Sequence, residues 1–327
     1  MRVFITGANG FIGRELALRL RALGHIVDGV DLRPDPEAGV IGGDITREGP
    51  WQDFVADLVV HTAAVVSNGV GMDEQWRVTT LGTRKVLDAA VRNGARWFLH
   101  LSSIRAFSDV GFPDGVTEEH PVRPDGNPYV DTKIASEQVV LQAHAAGEIA
   151  VTVVRPGDVY GPGSRPWTLM PLELIKKNQF LLPANGNGIF SPVYIDDLIE
   201  GLLIAATSHG NTGQVFTLTG GVGVTCKEFF GHYYRMLGKR GPLCLPTPVA
   251  VGIAAAAGRA IGLTGASTEF NAISMRYFTR TGTYSIDKAR RRLGYEPRVD
   301  LAEGMARTER WLQDHNLIGY ASRRAAE

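Results

Sequence analysis

The sequence is short of cysteine, of charge of one sign and of long apolar runs, and each shortage removes a class of protein. Two cysteines in 327 residues, Cys226 and Cys244, cannot build a disulfide framework or a four-cysteine zinc site. A reducing compartment fits, and both thiols read as small buried hydrophobes. Lys plus Arg number 34 and Asp plus Glu 34, a formal net charge of zero. Without a basic excess, nothing in bulk electrostatics draws the chain to nucleic acid or an anionic membrane. The apolar run Val249 to Ala257 spans nine residues and includes Gly252. That is far short of the roughly 20 that cross a bilayer. Arg2 is followed at once by Val3-Phe4-Ile5 and a glycine turn, a strand pattern rather than a secretory leader. The expected location is the cytoplasm. The eight histidines show no His-x-x-x-His spacing and no Gly-x-Ser-x-Gly elbow occurs, so no metal site is expected.

What is present is apolar residue, 44% of the chain, and glycine, 39 residues or about 12% against a usual 7% or so. The first excludes wholesale disorder; the second asks for specific backbone positions. Short runs rich in β-branched and aromatic residues recur at Val3–Ile5, Ile26–Val30, Leu58–Val60, Trp97–Leu101 and Val151–Val154. Helix-length segments lie between them, at Ile12–Leu23, Gln75–Arg92 and Tyr129–Ala146. This alternation predicts an α/β fold with a parallel sheet covered by helices on both faces. Beyond Arg155 it breaks down into Gly/Pro-rich stretches, with a helix at Asp196–Thr207 and a strand at Val215–Leu218 returning to the sheet. Residues 1–163 and 193–220 are therefore expected to form a nucleotide-binding domain. A smaller, discontinuous and mainly helical substrate domain takes 164–192 and 221–327. Asp196-Asp197 is expected to cap its helix, and Arg323-Arg324 to sit in a disordered tail.

Thr6-Gly7-Ala8-Asn9-Gly10-Phe11-Ile12-Gly13 follows the first strand and opens the first helix. Gly7 permits a tight turn, Gly10 lets backbone amides approach a pyrophosphate, and Gly13 lets the helix pack on the strand. A plain strand-to-helix turn would read the same way. The context favours a dinucleotide, because Asp31 ends the second strand 18 residues after Gly13, at the distance expected of a ribose-binding carboxylate. A carboxylate there accepts from the 2′-hydroxyl of NAD and repels the 2′-phosphate of NADP. Arg33, two residues on, pulls the other way, so NADP stays open. Asp31 as a simple turn carboxylate before Pro34 is the plainer alternative.

Tyr129 and Lys133 stand four residues apart, on one helical face, after a strand that ends in Ser102-Ser103. An ordinary phenol ionises at about pH 10, so proton abstraction at neutral pH needs about 4 kcal/mol of differential stabilisation. A lysine one turn away supplies part of it.

The chain resembles the extended short-chain dehydrogenases/reductases, the NAD-dependent epimerase/dehydratase superfamily. The resemblance is carried by Thr6 to Gly13, Asp31, Asp44-Ile45, His61 to Ala64, Gly82-Thr83, Ser102-Ser103, Tyr129 with Lys133, Arg155 to Pro162, and Lys288 to Pro297. It implies a Rossmann-type, doubly wound parallel sheet. It also implies that Tyr129 is the general acid/base, that Lys133 binds the nicotinamide ribose and lowers the phenol's pKa, and that Ser103 polarises the substrate oxygen. Asp44 and Ile45 would border the adenine, and Ala63, Ala64 and Pro156 would line the cofactor cleft. Ser67, Asp158, Trp167 and Phe190 would face the substrate. Helices like 75–92 and 129–146 imply a homodimer. The chain departs from the family pattern at Thr79, where an asparagine is common, at Phe107 in place of tyrosine, and at Asp158 in place of asparagine.

Family members acting on nucleotide sugars usually hold the diphosphate with an arginine about six residues before the Asp-Asp pair, where this chain has Phe190. A phenyl ring offers an anion no charge-assisted donor, although Arg165 or Arg280 are possible substitutes. Trp167, Leu169, Met170, Phe180, Leu181 and Leu182 suit an apolar cavity, or ordinary lid core. With the Ala-rich stretch 249–257, the C-terminal part is more similar to the 3β-hydroxysteroid-dehydrogenase-like branch. The leading expectation is NAD(P)-linked hydride transfer at a secondary alcohol or ketone of a hydrophobic small molecule. The alternatives are a nucleotide-sugar epimerase or dehydratase, and a non-catalytic NAD(P)-binding regulator.

Overall fold

The computed structural model describes residues 1–109, 113–262, 269 and 271–319. The tail arginines 323 and 324 lie outside them. Seven strands form one parallel sheet: β1 (Arg2–Thr6), β2 (Ile26–Asp31), β3 (Val40–Gly42), β4 (Leu58–His61), β5 (Trp97–Leu101), β6 (Ala150–Pro156) and β7 (Gln214–Leu218). Their spatial order is β3-β2-β1-β4-β5-β6-β7. This is the doubly wound α/β arrangement, with its switch point between β1 and β4. The short edge strand β3 has no counterpart in the sequence reading, because three residues running into a Gly-Gly pair carry no strand signal.

Side-chain alternation builds two cores. Val3 and Ile5 join one with Leu16 and Leu20 of α1 (Phe11–Ala22) and with Leu198 and Leu202 of a later helix. Phe4 faces the other, with Val86 and Leu87 of α2 (Gly82–Arg92) and Val140 and Ala143 of α3 (Pro128–Ala145). Both faces are covered, so β4 is buried along its whole length. The later helix, α4 (Ile195–Thr207), returns the chain to β7.

The segment expected as one helix over 75–92 is three: Met72–Gln75, a π-helical turn at Trp76–Leu81, and α2. Val78-Thr79-Thr80 is a β-branched run with weak helical preference. The widened turn lets the Thr79 hydroxyl accept from the Val65 N–H at 3.2 Å. The Asp196-Asp197 pair also differs from expectation. Neither side chain caps α4; Asp197 is buried and accepts from the amides of Arg298 and Val299 at 2.9 and 3.0 Å. Its partners lie a hundred residues on, which local spacing does not reveal.

Past β6 the chain leaves the sheet. Lid helices Met170–Lys176, Cys226–Met236, Thr247–Gly262 and Ala272–Tyr277 gather around Phe180, Phe190, Phe229 and Phe230, whose rings pack within 4.3 to 5.5 Å of one another. Cys226 is buried here, whereas Cys244 is half-buried. Among the described residues no helix is long and apolar enough to cross a membrane.

Candidate active site

The carboxyl ends of the strands open into a cleft of about 500 Å³ that runs from Asp31 to Trp167. The glycine turn forms its floor. Gly7 sits at φ +70°, and a Cβ there would lie 2.8 Å from Thr62 Oγ1 and 2.9 Å from the Ala63 nitrogen. A Cβ on Gly13 would come within 2.2 Å of the Gly7 carbonyl oxygen. Only glycine fits either place. Gly10 is the N-cap of α1 and supplies no side-chain cap, so the first-turn amides are left for another acceptor.

At the far rim, Asp31 is oriented by backbone donors, the amides of Asn9 at 3.1 Å and Arg33 at 3.4 Å. The Asn9 side chain donates to the Arg33 carbonyl at 2.7 Å. Asn9 and Arg33 thus brace the Asp31 loop rather than line the cleft, and the Arg33 side chain is exposed. Phe11, Ile12, Asp44, Ile45, Ala63, Ala64 and Pro156 all line it. Asp44 is tied to Thr46 and lies 3.7 Å from Arg77. Arg77 and Glu74, on the helical segment beside α2, line the same end, and spacing gave no hint of either.

The candidate reacting groups stand mid-cleft. Asn127 caps α3 by accepting the Tyr129 amide at 3.0 Å, with Pro128 in the first turn. Tyr129 and Lys133 are buried one turn apart. Lys133 Nζ donates to the Leu101 carbonyl at 2.8 Å. Burial lowers its pKa to about 8, against the opposing pull of Glu137. Ser103 caps the short helical turn Ile104–Phe107, accepting the Arg105 amide at 3.2 Å, and lines the cleft together with Tyr129. Burial pushes that phenol above its ordinary value; the nearby Arg105 guanidinium and Ser103 draw it back.

Beneath these groups lies a packed polar layer. Glu137 and Arg155 form a bidentate buried pair at 2.8 and 2.6 Å. The Arg155 guanidinium lies 4.5 Å from the Phe107 ring centre, so the ring that replaces the usual tyrosine covers a cation. His61 bridges Thr6 and Thr83 at 2.6 and 2.8 Å. Desolvation, with Lys133 adding to it, drops its pKa to about 3 and keeps the ring neutral.

The expected substrate residues separate. Asp158 lines the cleft, but its carboxylate already accepts from the Ser191 amide at 3.0 Å, Arg280 at 3.1 Å and the Tyr277 hydroxyl. Arg280, one proposed stand-in for a phosphate-binding arginine, is only 1% exposed and is neutralised by that pair. The other, Arg165, is exposed and lines neither this cleft nor the cavity beside it. Phe190 is fully buried among Phe229, Phe230 and Trp167 and also lines neither. Its place is core. Trp167 lines both spaces, and Ser67 lines the second, a cavity of about 110 Å³. Leu174, Met170, Phe180, Leu181, Phe230 and Phe278 make that cavity apolar. Arg105, which the sequence reading passed over, lies at the junction of the two spaces. Asp109 holds it, and the i, i+4 spacing of the pair was its available signal.

A glycine cradle that no Cβ can enter, uncapped helix-start amides and a backbone-braced carboxylate fit a dinucleotide. Comparison with known proteins agrees. The chain is 27% identical to a dTDP-glucose 4,6-dehydratase of Streptomyces antibioticus, over 96% of this chain and 93% of the relative. It is 27% identical to a 3 beta-hydroxysteroid dehydrogenase/Delta 5→4-isomerase of Mycobacterium tuberculosis, over 90% and 86%. Its fold is similar to that of MoeE5 solved in complex with UDP-glucose and NAD, with a TM-score of 0.79 at 23% identity, covering 97% of this chain and all of that one. The family model named NAD dependent epimerase/dehydratase matches residues 3–218, from the first strand to the last. The glycine turn, the Ser103–Tyr129–Lys133 cluster and the doubly wound sheet all fall in that span, and the chain belongs to this family of NAD-dependent enzymes.

Proposed function

We propose that this protein oxidises a secondary alcohol, or reduces the matching ketone, on an apolar small molecule. The observation that carries the reading is the second cavity. It adjoins the cleft that Tyr129 lines, through Arg105, Pro166 and Trp167. Aromatic and aliphatic side chains make up most of its wall beside Ser67, Asn68, Glu269 and Ser274, and its one lining cation, Arg105, is already paired with Asp109. A sugar diphosphate would need charge-assisted donors there. An alicyclic or aromatic body would need none.

Bound in the main cleft, the cofactor would accept the hydride as NAD⁺ in oxidation and give it back as NADH in reduction. Gly7, Gly10 and Gly13 with the first-turn amides of α1 hold its pyrophosphate, and Asp31 the adenosine ribose, which favours NAD over NADP. Tyr129 takes the hydroxyl proton in oxidation and returns it in reduction. Ser103 holds the substrate oxygen beside the phenol, and Lys133 serves the ribose. The lid, built from 164–192 and the described residues of 221–319, covers the substrate side of the cleft.

The second reading is a nucleotide-sugar epimerase or dehydratase, and the likeness to a dTDP-glucose dehydratase favours it. Steady-state assays separate the two. Net NADH formation with apolar secondary alcohols is expected. Conversion of a dTDP- or UDP-sugar with no net cofactor turnover would overturn the first reading. The partner is then a small molecule. We also propose a homodimer, since Met72, Trp76 and Leu81 are 38 to 50% exposed on the helical segment beside α2 and α3. Light scattering should return twice the chain mass at micromolar concentration; the monomer mass would refute it.

A further inference from the structure

We propose that Arg105 is a second cation of the active site, locked by Asp109 over the Tyr129 ring so that it orients the ring and stabilises the ionised phenol. The inference rests on Tyr129 being the general acid/base. The guanidinium carbon lies 4.8 Å from the Tyr129 ring centre and 4.8 Å from that of Tyr277, between the two rings. Its side chain is 11% exposed and that of Asp109 is 4% exposed. A cation over an aromatic face this far from water acts on the ring's charge with little screening.

Its position is over-determined. Both Asp109 oxygens accept from it, through Nε at 2.9 Å and through Nη2, and Nη1 donates to Asn68 Oδ1 at 3.1 Å. Asp109 also accepts from Asn127 Nδ2 at 3.2 Å, and Asn127 caps the helix on the Tyr129 amide. One carboxylate therefore links the cation to the first turn of the helix that carries the phenol.

The charged and polar groups facing Tyr129 divide by sign. Arg105 and Ser103, on the segment after β5, favour the ionised phenol, and Arg105 is the stronger; Asp109 and Asp158 oppose it. On its own helix Lys133 turns to the Leu101 carbonyl, and on the lid side Arg280 is spent on Asp158 and on the Tyr277 ring at 3.9 Å. Burial lowers the Lys133 pKa to about 8, so its charge is already half gone there. A guanidinium keeps its charge. Arg105 is thus a positioning residue whose charge persists where that of lysine fades.

The test is the pH profile of kcat for NAD-linked oxidation, where the ionised phenol is the base and the rate climbs with its ionisation. Arg105→Met keeps the stem and removes the charge; the rising limb should move up by about one pH unit. Asp109→Asn keeps the shape and removes the opposing charge, so the limb should move down. Arg105→Lys should recover part of the first shift. The ultraviolet absorbance of tyrosinate, taken as the difference from Tyr129→Phe, should shift in the same directions without substrate. If Arg105→Met does not fold, the Asp109→Asn profile and titration decide. A limb unmoved in the variants, with Tyr129→Phe inactive, overturns the role of Arg105. Full activity of Tyr129→Phe overturns the general acid/base assignment instead.

Discussion

Tyr129→Phe should reduce kcat by about 10²–10⁴-fold and leave the dissociation constant for NADH nearly unchanged. The first figure is what a positioned proton donor contributes to a reaction of this kind. The second follows from what the substitution leaves alone. The ring keeps its shape between helix α3 and the Arg105 guanidinium, and the helix cap runs from Asn127 to the backbone amide, not to the hydroxyl. The glycine cradle and Asp31 are built on other elements. Only the phenol oxygen, beside Ser103, is lost. Steady-state oxidation rates together with NADH fluorescence titration check both halves. Unchanged turnover would remove Tyr129 from the chemistry, and a parallel loss of cofactor affinity would mean that the variant had disturbed the cleft.

Local spacing was enough to place the glycine turn and Asp31 on one side of a single cleft, though not to separate Asn9 and Arg33, which brace its rim. Gly7, Gly10, Gly13 and Asp31 belong to one β-α-β unit, and their geometry is set by strand and helix periods that any window of sequence displays. The same holds for Tyr129 and Lys133, one helical turn apart. The substrate side was legible only in composition. Trp167 and Met170 do line a cavity, but Phe190, from the following Gly/Pro-rich stretch, is core, and nothing in its neighbourhood along the chain distinguishes them. That difference is made by Phe229 and Phe230, about forty residues on. Arg105 escaped notice for a similar reason. Its meaning comes from Tyr129 and Tyr277, which the fold brings to it from 24 and 172 residues away.

Glu137 offers the largest expected effect on stability. Glu137→Leu should cost about 3–5 kcal/mol, because it strands the Arg155 guanidinium with no counter-charge. The glutamate side chain is 0% exposed and the arginine 5%, so water cannot step in. Arg155 Nη1 is already without a partner, which leaves the cation little other support. Urea denaturation measures the loss, and a drop below about 1 kcal/mol would refute the argument. The double variant Glu137→Leu with Arg155→Met should regain most of it, since a buried pair replaced whole by apolar groups is often neutral. Activity should not follow. Glu137 is also the charge that holds the Lys133 ammonium up against burial, so removing it moves lysine's titration below about 8. The sign is then fixed. With Lys133 losing its proton at lower pH, the alkaline limb of the activity profile moves toward neutrality in the single and the double variant alike. Stability recovers in the double variant while the limb stays displaced, and that divergence separates the two functions of one carboxylate.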